Sequence, residues 1–396
     1  TNARIRTGPN EKDSYRFDPG TPDGFRWFLE LGPLTNVNRK HFLGQVPEWN
    51  AYLEHADYDQ FWQRQNVLSY VKDVRIPVLN VAGWFDAEDF YGPLTIYEQI
   101  EKSTPNNQSI LVVGPWSHGG WNSHPNGNQL GGVKFAGAPA THFREQVQFP
   151  FFLYHLKGKG KLELPEVLAY ESGGNVWRSY DRWPPVSKTA ERRLYLRAGG
   201  KLSWEAPAET EGFDSYVSDP AKPVPFSAEI RFSQGHNWMV EDQRFAARRP
   251  DVLVYQTEEL TEDVTLAGRL IAKLWASTSG TDADYVVKLI DEFPGNAPEQ
   301  GHYQMLVSGE VFRAKYRKSF SKPEAMTPNR PELIGIDLRD KNHRFLKGHR
   351  ILVQVHSSWF PVYDRNPQTF VPNIAWAEPG DFCRATHRIH HAPGAA

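Results

Sequence analysis

The sequence has a single cysteine, Cys383, among 396 residues. One thiol excludes an internal disulfide and any cysteine-based zinc site, and it leaves the compartment open because exported enzymes can do without disulfides. No apolar run approaches the ~18 residues that a membrane-spanning helix needs. The first residues, Thr1-Asn2-Ala3-Arg4-Ile5-Arg6, lack the apolar core of a signal peptide. Charge of one sign is missing too: 45 basic against 47 acidic residues leave a net −2. Without a long Lys/Arg block, electrostatic binding to nucleic acid is disfavoured and a small or neutral partner fits better. With 31 Gly and 30 Pro, the chain stays well below the ~25–30% typical of low-complexity segments. Aromatic residues are plentiful. The 13 Trp, 16 Tyr and 23 Phe predict deep packing or an aromatic-walled pocket, and at ~150 residues per domain the length makes two or three domains.

Periodicity divides the chain. Residues 20–75 carry apolar spacings nearer 3.6 than 2, as in Phe25-Arg26-Trp27-Phe28-Leu29 and Asp59-Gln60-Phe61-Trp62-Gln63, which predicts a helical insert. Ile76 to Gly83 and Ser109 to Gly114 are short continuous apolar runs stopped by glycine, as strands buried on both faces are. A helix from Pro93 to Ile100 between them completes a strand-helix-strand unit of a parallel sheet. A further helix is predicted from Thr141 to Leu156, stopped by Lys157-Gly158-Lys159-Gly160. After Trp183-Pro184-Pro185 the texture changes to short alternating runs between turn residues. Examples are Arg193-Leu194-Tyr195-Leu196, Tyr285-Val286-Val287-Lys288-Leu289 and Ile351-Leu352-Val353-Gln354-Val355, which read as sandwich strands. The expected boundary lies near 178–188, and no internal repeat is present.

The first predicted strand runs straight into Trp84-Phe85-Asp86-Ala87-Glu88-Asp89, so three carboxylates follow the carboxyl end of a parallel strand, where ligands bind in open α/β sheets. The second ends in Gly114-Pro115-Trp116-Ser117-His118, placing a histidine in the equivalent loop. Aspartate then histidine on successive strand ends is the order of an α/β-hydrolase triad, in which the carboxylate fixes one imidazole tautomer and the imidazole moves the nucleophile's proton. Equally open from spacing alone, Asp86 caps the following helix and His118 is a loop histidine bonded to backbone. A serine on a Gly-x-Ser-x-Gly elbow should precede the pair, yet no Gly-x-Ser occurs anywhere in the sequence. Either this is no hydrolase or the chain is the C-terminal part of one.

Five stretches carry a resemblance beyond spacing: Gly83-Trp84-Phe85-Asp86, Gly114-Pro115-Trp116-Ser117-His118, Tyr216-x-x-Asp219-Pro220-x-x-Pro223, Arg249-Pro250-Asp251-Val252-Leu253 and Gly348-His349-Arg350. From about residue 20 onward the chain resembles the X-Pro dipeptidyl-peptidase/cocaine esterase superfamily of serine hydrolases. Asp86-Ala87-Glu88-Asp89 is similar to the run in the α-amino acid ester hydrolases, also known as glutaryl-7-aminocephalosporanic acid acylases; cocaine esterases lack this paired acid.

The resemblance implies a partial hydrolase edge and helical cap over 1–75, the C-terminal half of an α/β-hydrolase domain over 76–177, and a jelly-roll β-sandwich over 188–396. It makes Asp86 and His118 the catalytic pair, with the nucleophilic serine and an oxyanion tyrosine upstream of Thr1. It gives Glu88 and Asp89 to a carboxylate cluster that binds a substrate α-ammonium group, a third member lying upstream. Repulsion among three carboxylates at a desolvated strand end also favours a cation there. The other reading of Glu88 and Asp89 is that they complement the dipole of the helix starting near Tyr91.

The expected function is a serine hydrolase acting through an acyl-enzyme on α-amino acid esters and amides, including β-lactam side chains, with this part inactive alone. Its expected partners are a small-molecule substrate and the missing N-terminal segment, with a second copy of the chain as a further candidate, and no nucleic acid or membrane, no cofactor and no metal. A periplasmic or secreted location is expected, with the cytoplasm as the alternative. Within enzymes the rivals are cocaine-esterase-like or X-Pro dipeptidyl-peptidase-like specificity; outside them, a carbohydrate-binding jelly-roll, discriminated by glycan binding of residues 188–396.

Weaker candidates remain. His124 and the tail residues His387, His390 and His391 lack carboxylates at ligand spacing and read as solvated loop and edge-strand histidines. Asp282-Ala283-Asp284 lacks the glycine and distal glutamate of an EF-hand and reads as strand-end acids. Trp27, Trp49, Phe61 and Trp62 wall an acyl pocket or pack the cap.

Overall fold

The computed structural model describes residues 18–208 and 211–391, together with a short pairing of Arg4–Ile5 with Tyr15–Arg16. The predicted insert forms as short helices, α1 (Gly24–Leu31), α2 (Pro47–Glu54) and α3 (Gln60–Gln65). The Asp23 carboxylate accepts from the Arg26 amide at 2.9 Å and the Asp59 carboxylate from Phe61 at 2.8 Å, satisfying amides left free at each helix start. Helices this short are marginal alone, so contacts from later in the chain hold them. A Cβ on Gly24 would lie 2.8 Å from the Arg231 carbonyl, which lets only glycine start α1 against that backbone. Phe25 meets Phe360 edge-on at 5.3 Å, and the Tyr316 hydroxyl reaches Asp57 at 2.7 Å.

Strands β1 (Val78–Gly83), β2 (Ser109–Gly114), β3 (Val167–Glu171) and β4 (Val176–Tyr180) form one sheet in that order. The first three are parallel and β4 returns antiparallel. Every residue of β2 is buried, as its unbroken apolar run predicts. The crossover helix α4 spans Tyr91–Ser103 and buries Leu94, Tyr97 and Ile100. The predicted helix at 141–156 forms over 139–157, with a wide turn at Phe143–Gln148 and α5 at Phe149–Lys157. Pro150, which has no amide hydrogen to donate, sits just after the widened turn. Gly158, at φ 62°, stops the helix as read.

Beyond Tyr180 the strands are β5 (Tyr195–Arg197), β6 (Lys201–Ser203), β7 (Phe213–Ser218), β8 (Leu253–Gln256), β9 (Val264–Thr278), β10 (Asp284–Glu292), β11 (Gln304–Arg313), β12 (Glu332–Phe345), β13 (Arg350–His356) and β14 (Ala385–His390). They make a six-stranded sheet, β11-β10-β13-β8-β6-β5, and a four-stranded sheet, β7-β14-β9-β12. Tyr285, Val287 and Leu289 of one share a core with Leu274, Ile334, Ile336 and Ile389 of the other, so the two sheets face each other. The opposite face of β10 is buried as well. Val286 and Ile290 join Trp84, Phe85, Phe90 and Tyr97 in a second core that runs from the parallel sheet into the sandwich. The alternation read from the sequence is therefore apolar on both faces from Tyr285 to Ile290, except at Lys288. Cleavage within the irregular connector 181–194 is expected to leave both parts associated in native gel filtration; separating pieces would show that this shared core does not hold them.

Candidate active site

Two glycines bring the loops after β1 and β2 together. A Cβ on Gly83 would stand 2.2 Å from the Trp116 carbonyl, and one on Gly114 would stand 2.3 Å from the Trp116 ring. Their absence lets the loops zip beyond the strands, the Trp84 amide bonding to the Gly114 carbonyl at 2.9 Å and the Phe85 amide to the Trp116 carbonyl at 3.2 Å. The Trp116 indole donates back to the Ala82 carbonyl at 2.9 Å. Asp86 is the next residue out on one side, and His118, one past Ser117, on the other.

The Asp86 carboxylate, 4% exposed, uses both oxygens. Oδ1 accepts the amides of Glu88 and Asp89 at 2.8 and 3.1 Å, and Oδ2 faces His118 Nδ1 at 3.1 Å. Asp86 thus caps its own turn, not helix α4, and still holds the imidazole. With Nδ1–H donated to the carboxylate, Nε2 is the nitrogen left to accept a proton. Burial alone would lower the His118 pKa, but the Asp86 charge and hydrogen bond, aided by Glu88 and Asp89, outweigh burial and raise it.

Only Asp86 of the three acids is desolvated. Asp89 is 68% exposed, with Oδ2 at 3.4 Å from His118 Nδ1, and Glu88 is exposed too. The desolvated carboxylate triplet expected from sequence is therefore one buried and two solvated groups, because the turn after Asp86 bends outward before α4. Neither Glu88 nor Asp89 lies in the first turn of α4. A cavity of about 250 Å³ opens beside this turn, lined among others by Asp86, Glu88, Trp238, Glu310, Lys341 and Trp359. His118 and Asp89 are not in its lining. Four of those six residues come from the β-rich part, which sequence reasoning missed, since nothing in their patterns marks a shared wall.

The other candidates resolve individually. Trp27 packs on Phe28 and on Phe232 of the β-rich part, Trp49 on Phe42, and Trp62 on Phe61 and Tyr52, so these aromatics pack the cap and its junction with the β-rich part. Asp284 pairs with Arg313 at 2.8 Å, and Asp282 caps the Lys315 amide at 3.0 Å while burial, ahead of Asp284, pushes its carboxyl up to about 6. His387 corrects the edge-strand reading: β14 lies inside its sheet, the ring is fully buried with Nε2 at 2.6 Å from the Gln368 side-chain Oε1, and burial pushes its pKa down to about 3. His390 bonds Ser277 and His391 bonds Asp214. Among the described residues no group of His, Cys, Asp and Glu could hold a metal ion, and no helix is long and apolar enough to cross a membrane.

The fold and this pair define a class: an α/β sheet with aspartate and histidine at adjacent parallel strand ends, joined to a two-sheet β part. Residues 160–396 match the X-Pro dipeptidyl-peptidase C-terminal non-catalytic domain, and residues 19–120 match the X-Pro dipeptidyl-peptidase S15 family. The chain belongs to the X-Pro dipeptidyl-peptidase/cocaine esterase superfamily. It is 33% identical over 377 residues to a cocaine esterase of Rhodococcus sp. (strain MB1 Bresler), covering 91% of this chain and 62% of that protein. Among solved structures it superposes on an α-amino acid ester hydrolase with TM-score 0.92 and 41% identity, covering 96% of this chain and 64% of that one. An aminopeptidase from the marine sediment archaeon Thaumarchaeota archaeon gives TM-score 0.91 and 40% identity, over 96% and 63%. The chain thus spans somewhat less than two thirds of the length of these relatives.

Proposed function

We propose that this chain supplies the aspartate and histidine of a serine hydrolase acting on α-amino acid esters and amides, β-lactam side chains among them, through an acyl-enzyme. The observation that carries the reading is the Asp86 Oδ2 to His118 Nδ1 contact of 3.1 Å between adjacent parallel strand ends. The nucleophilic serine then comes from outside these 396 residues, and the β part is a jelly-roll that buttresses the site. In the reaction His118 Nε2 takes the serine proton as the serine oxygen attacks the acyl carbon. Asp86 stabilises the imidazolium that forms, and that imidazolium returns the proton to the leaving alcohol or amine. Water then attacks the acyl-enzyme with the same base, or an amine does so in acyl transfer.

Glu88 and Asp89 take the substrate's α-ammonium group. Replacing both, Glu88→Gln with Asp89→Asn, keeps shape and removes charge. In the complete gene product this is expected to raise KM for an α-amino acid methyl ester and leave KM for its des-amino analogue unchanged, while the lost charge lets the His118 pKa fall for both substrates alike. The carboxylates are solvated, so the effect is set at ~1–2 kcal/mol, a five- to thirty-fold rise, below the value of a fully buried pair. Equal loss on both esters would make the pair structural and remove the α-amino specificity.

A further inference from the structure

The loop that carries Asp86 is held from the far side of the molecule. Strand β12 belongs to the sandwich, yet the stretch Arg339 to Arg344 in its second half lies against the parallel sheet and the connector that follows it. The Ser172 amide donates to the Asn342 carbonyl at 3.0 Å, the Arg344 amide to the Ser172 carbonyl at 2.8 Å, and the Trp183 indole to Asp340 at 3.1 Å. Inside this seam stands Lys341, 3% exposed. Its Nζ donates to the backbone carbonyl of Trp84, two residues before Asp86. The ammonium lies 4.5 Å from the centroid of Phe90, 5.7 Å from Phe85 and 6.0 Å from Trp84, so aromatic faces on both sides of the Asp86 turn surround it. The Trp84 indole is fixed separately, to the Tyr170 carbonyl at 2.6 Å.

We infer that Lys341 is a positioning residue for the catalytic pair, a strut from the β part that sets the Asp86 turn against His118 through the Trp84 carbonyl. A bare packing role would be met by methionine, which has the length and no desolvation cost. A buried ammonium is expensive unless it is partnered. Burial indeed pushes the Lys341 pKa down to about 7 against the attraction of Asp340 and Asp86. The groups that face it are those two carboxylates and the Trp84 carbonyl, with Glu88, Glu310 and Arg339 lining the same cavity. Lys341 touches no reacting atom; it acts through the loop.

The inference rests on Asp86 and His118 being the catalytic pair, but its test needs no substrate. The His118 ring is titrated by NMR in this chain and in Lys341→Met. Losing the strut moves Asp86 off Nδ1, so the His118 pKa is expected to fall toward the ordinary histidine value of about 6.5. Losing only a positive charge near the imidazole would raise that pKa instead, and losing only packing would leave it unchanged; either outcome overturns the inference. Lys341→Gln, which keeps an N–H for the Trp84 carbonyl without the charge, is expected to retain the raised value. If Lys341→Met does not fold, Lys341→Gln alone decides, a fall in the His118 pKa overturning the strut. In the complete gene product Lys341→Met then lowers kcat more than it raises KM, with Lys341→Gln restoring most of kcat. A His118 pKa that behaves as expected in a protein without hydrolase activity would sink the functional reading and leave the strut standing.

Discussion

His118→Ala in the complete gene product is expected to lower kcat on the order of 10⁴-fold or more, with little change in KM. Alanine removes the proton acceptor but leaves the cavity wall intact, because His118 is 40% exposed and outside the lining of the cavity. Asp86→Asn should cost a similar factor by a different route. The amide keeps the shape, but presenting its NH₂ to Nδ1 would favour the wrong tautomer and move the proton to Nε2, the position that must be free. Because the two act as one unit, the double variant should lose little more than either single one. Steady-state kinetics on one ester substrate checks all three. A His118→Ala enzyme within tenfold of the parent would end the triad reading, and additive losses would show that the two side chains act separately.

The parts of this site on one continuous stretch could be read from sequence, and those built across the fold could not. Val78 to Gly83 and Ser109 to Gly114 announce themselves because a strand buried on both faces has no polar residue to interrupt it. Glycine at each strand end told where the chain turns, which put Asp86 and His118 in neighbouring loops. Solvation was less legible. Whether three acids beyond a strand end are dry depends on where the turn points, and Glu88 and Asp89 turned outward. The run Arg339-Asp340-Lys341-Asn342-His343-Arg344 has the composition of an exposed loop, yet Lys341, Asn342 and His343 are buried because partners from three other elements satisfy them. Local sequence carries no sign of partners 52 to 257 positions away. Lys288 is the same case: fully buried in β10, it donates to the Gln243 side chain at 2.9 Å.

Asp291 is where the buried polar seam is most exposed to attack, and Asp291→Ala is expected to destabilise the protein by about 3–5 kcal/mol. Its carboxylate on β10 holds His343 Nε2 of β12 at 3.2 Å with one oxygen and His349 Nδ1 at 2.8 Å with the other. His343 Nδ1 in turn meets the Ser172 hydroxyl at 2.8 Å, just past the end of β3. One carboxylate thus ties both sheets of the sandwich to the parallel sheet, and removing it leaves buried ring N–H groups without acceptors. Burial alone would raise the Asp291 pKa, but hydrogen bonds and charge from His343 and His349 outweigh burial and hold it below the usual carboxylate range. A carboxyl whose pKa is lowered by folding contributes its full stability above the unfolded value of about 3.9 and loses it as pH falls through the folded value. The resistance of the parent chain to urea unfolding should therefore fall below about pH 4. Asp291→Asn should start from lower stability at neutral pH and show a shallower acid limb, one ionisation having been removed from the cycle. If Asp291→Asn matched the parent in both midpoint and pH profile, the histidine pair would be held by packing, and the carboxylate would add nothing to the seam.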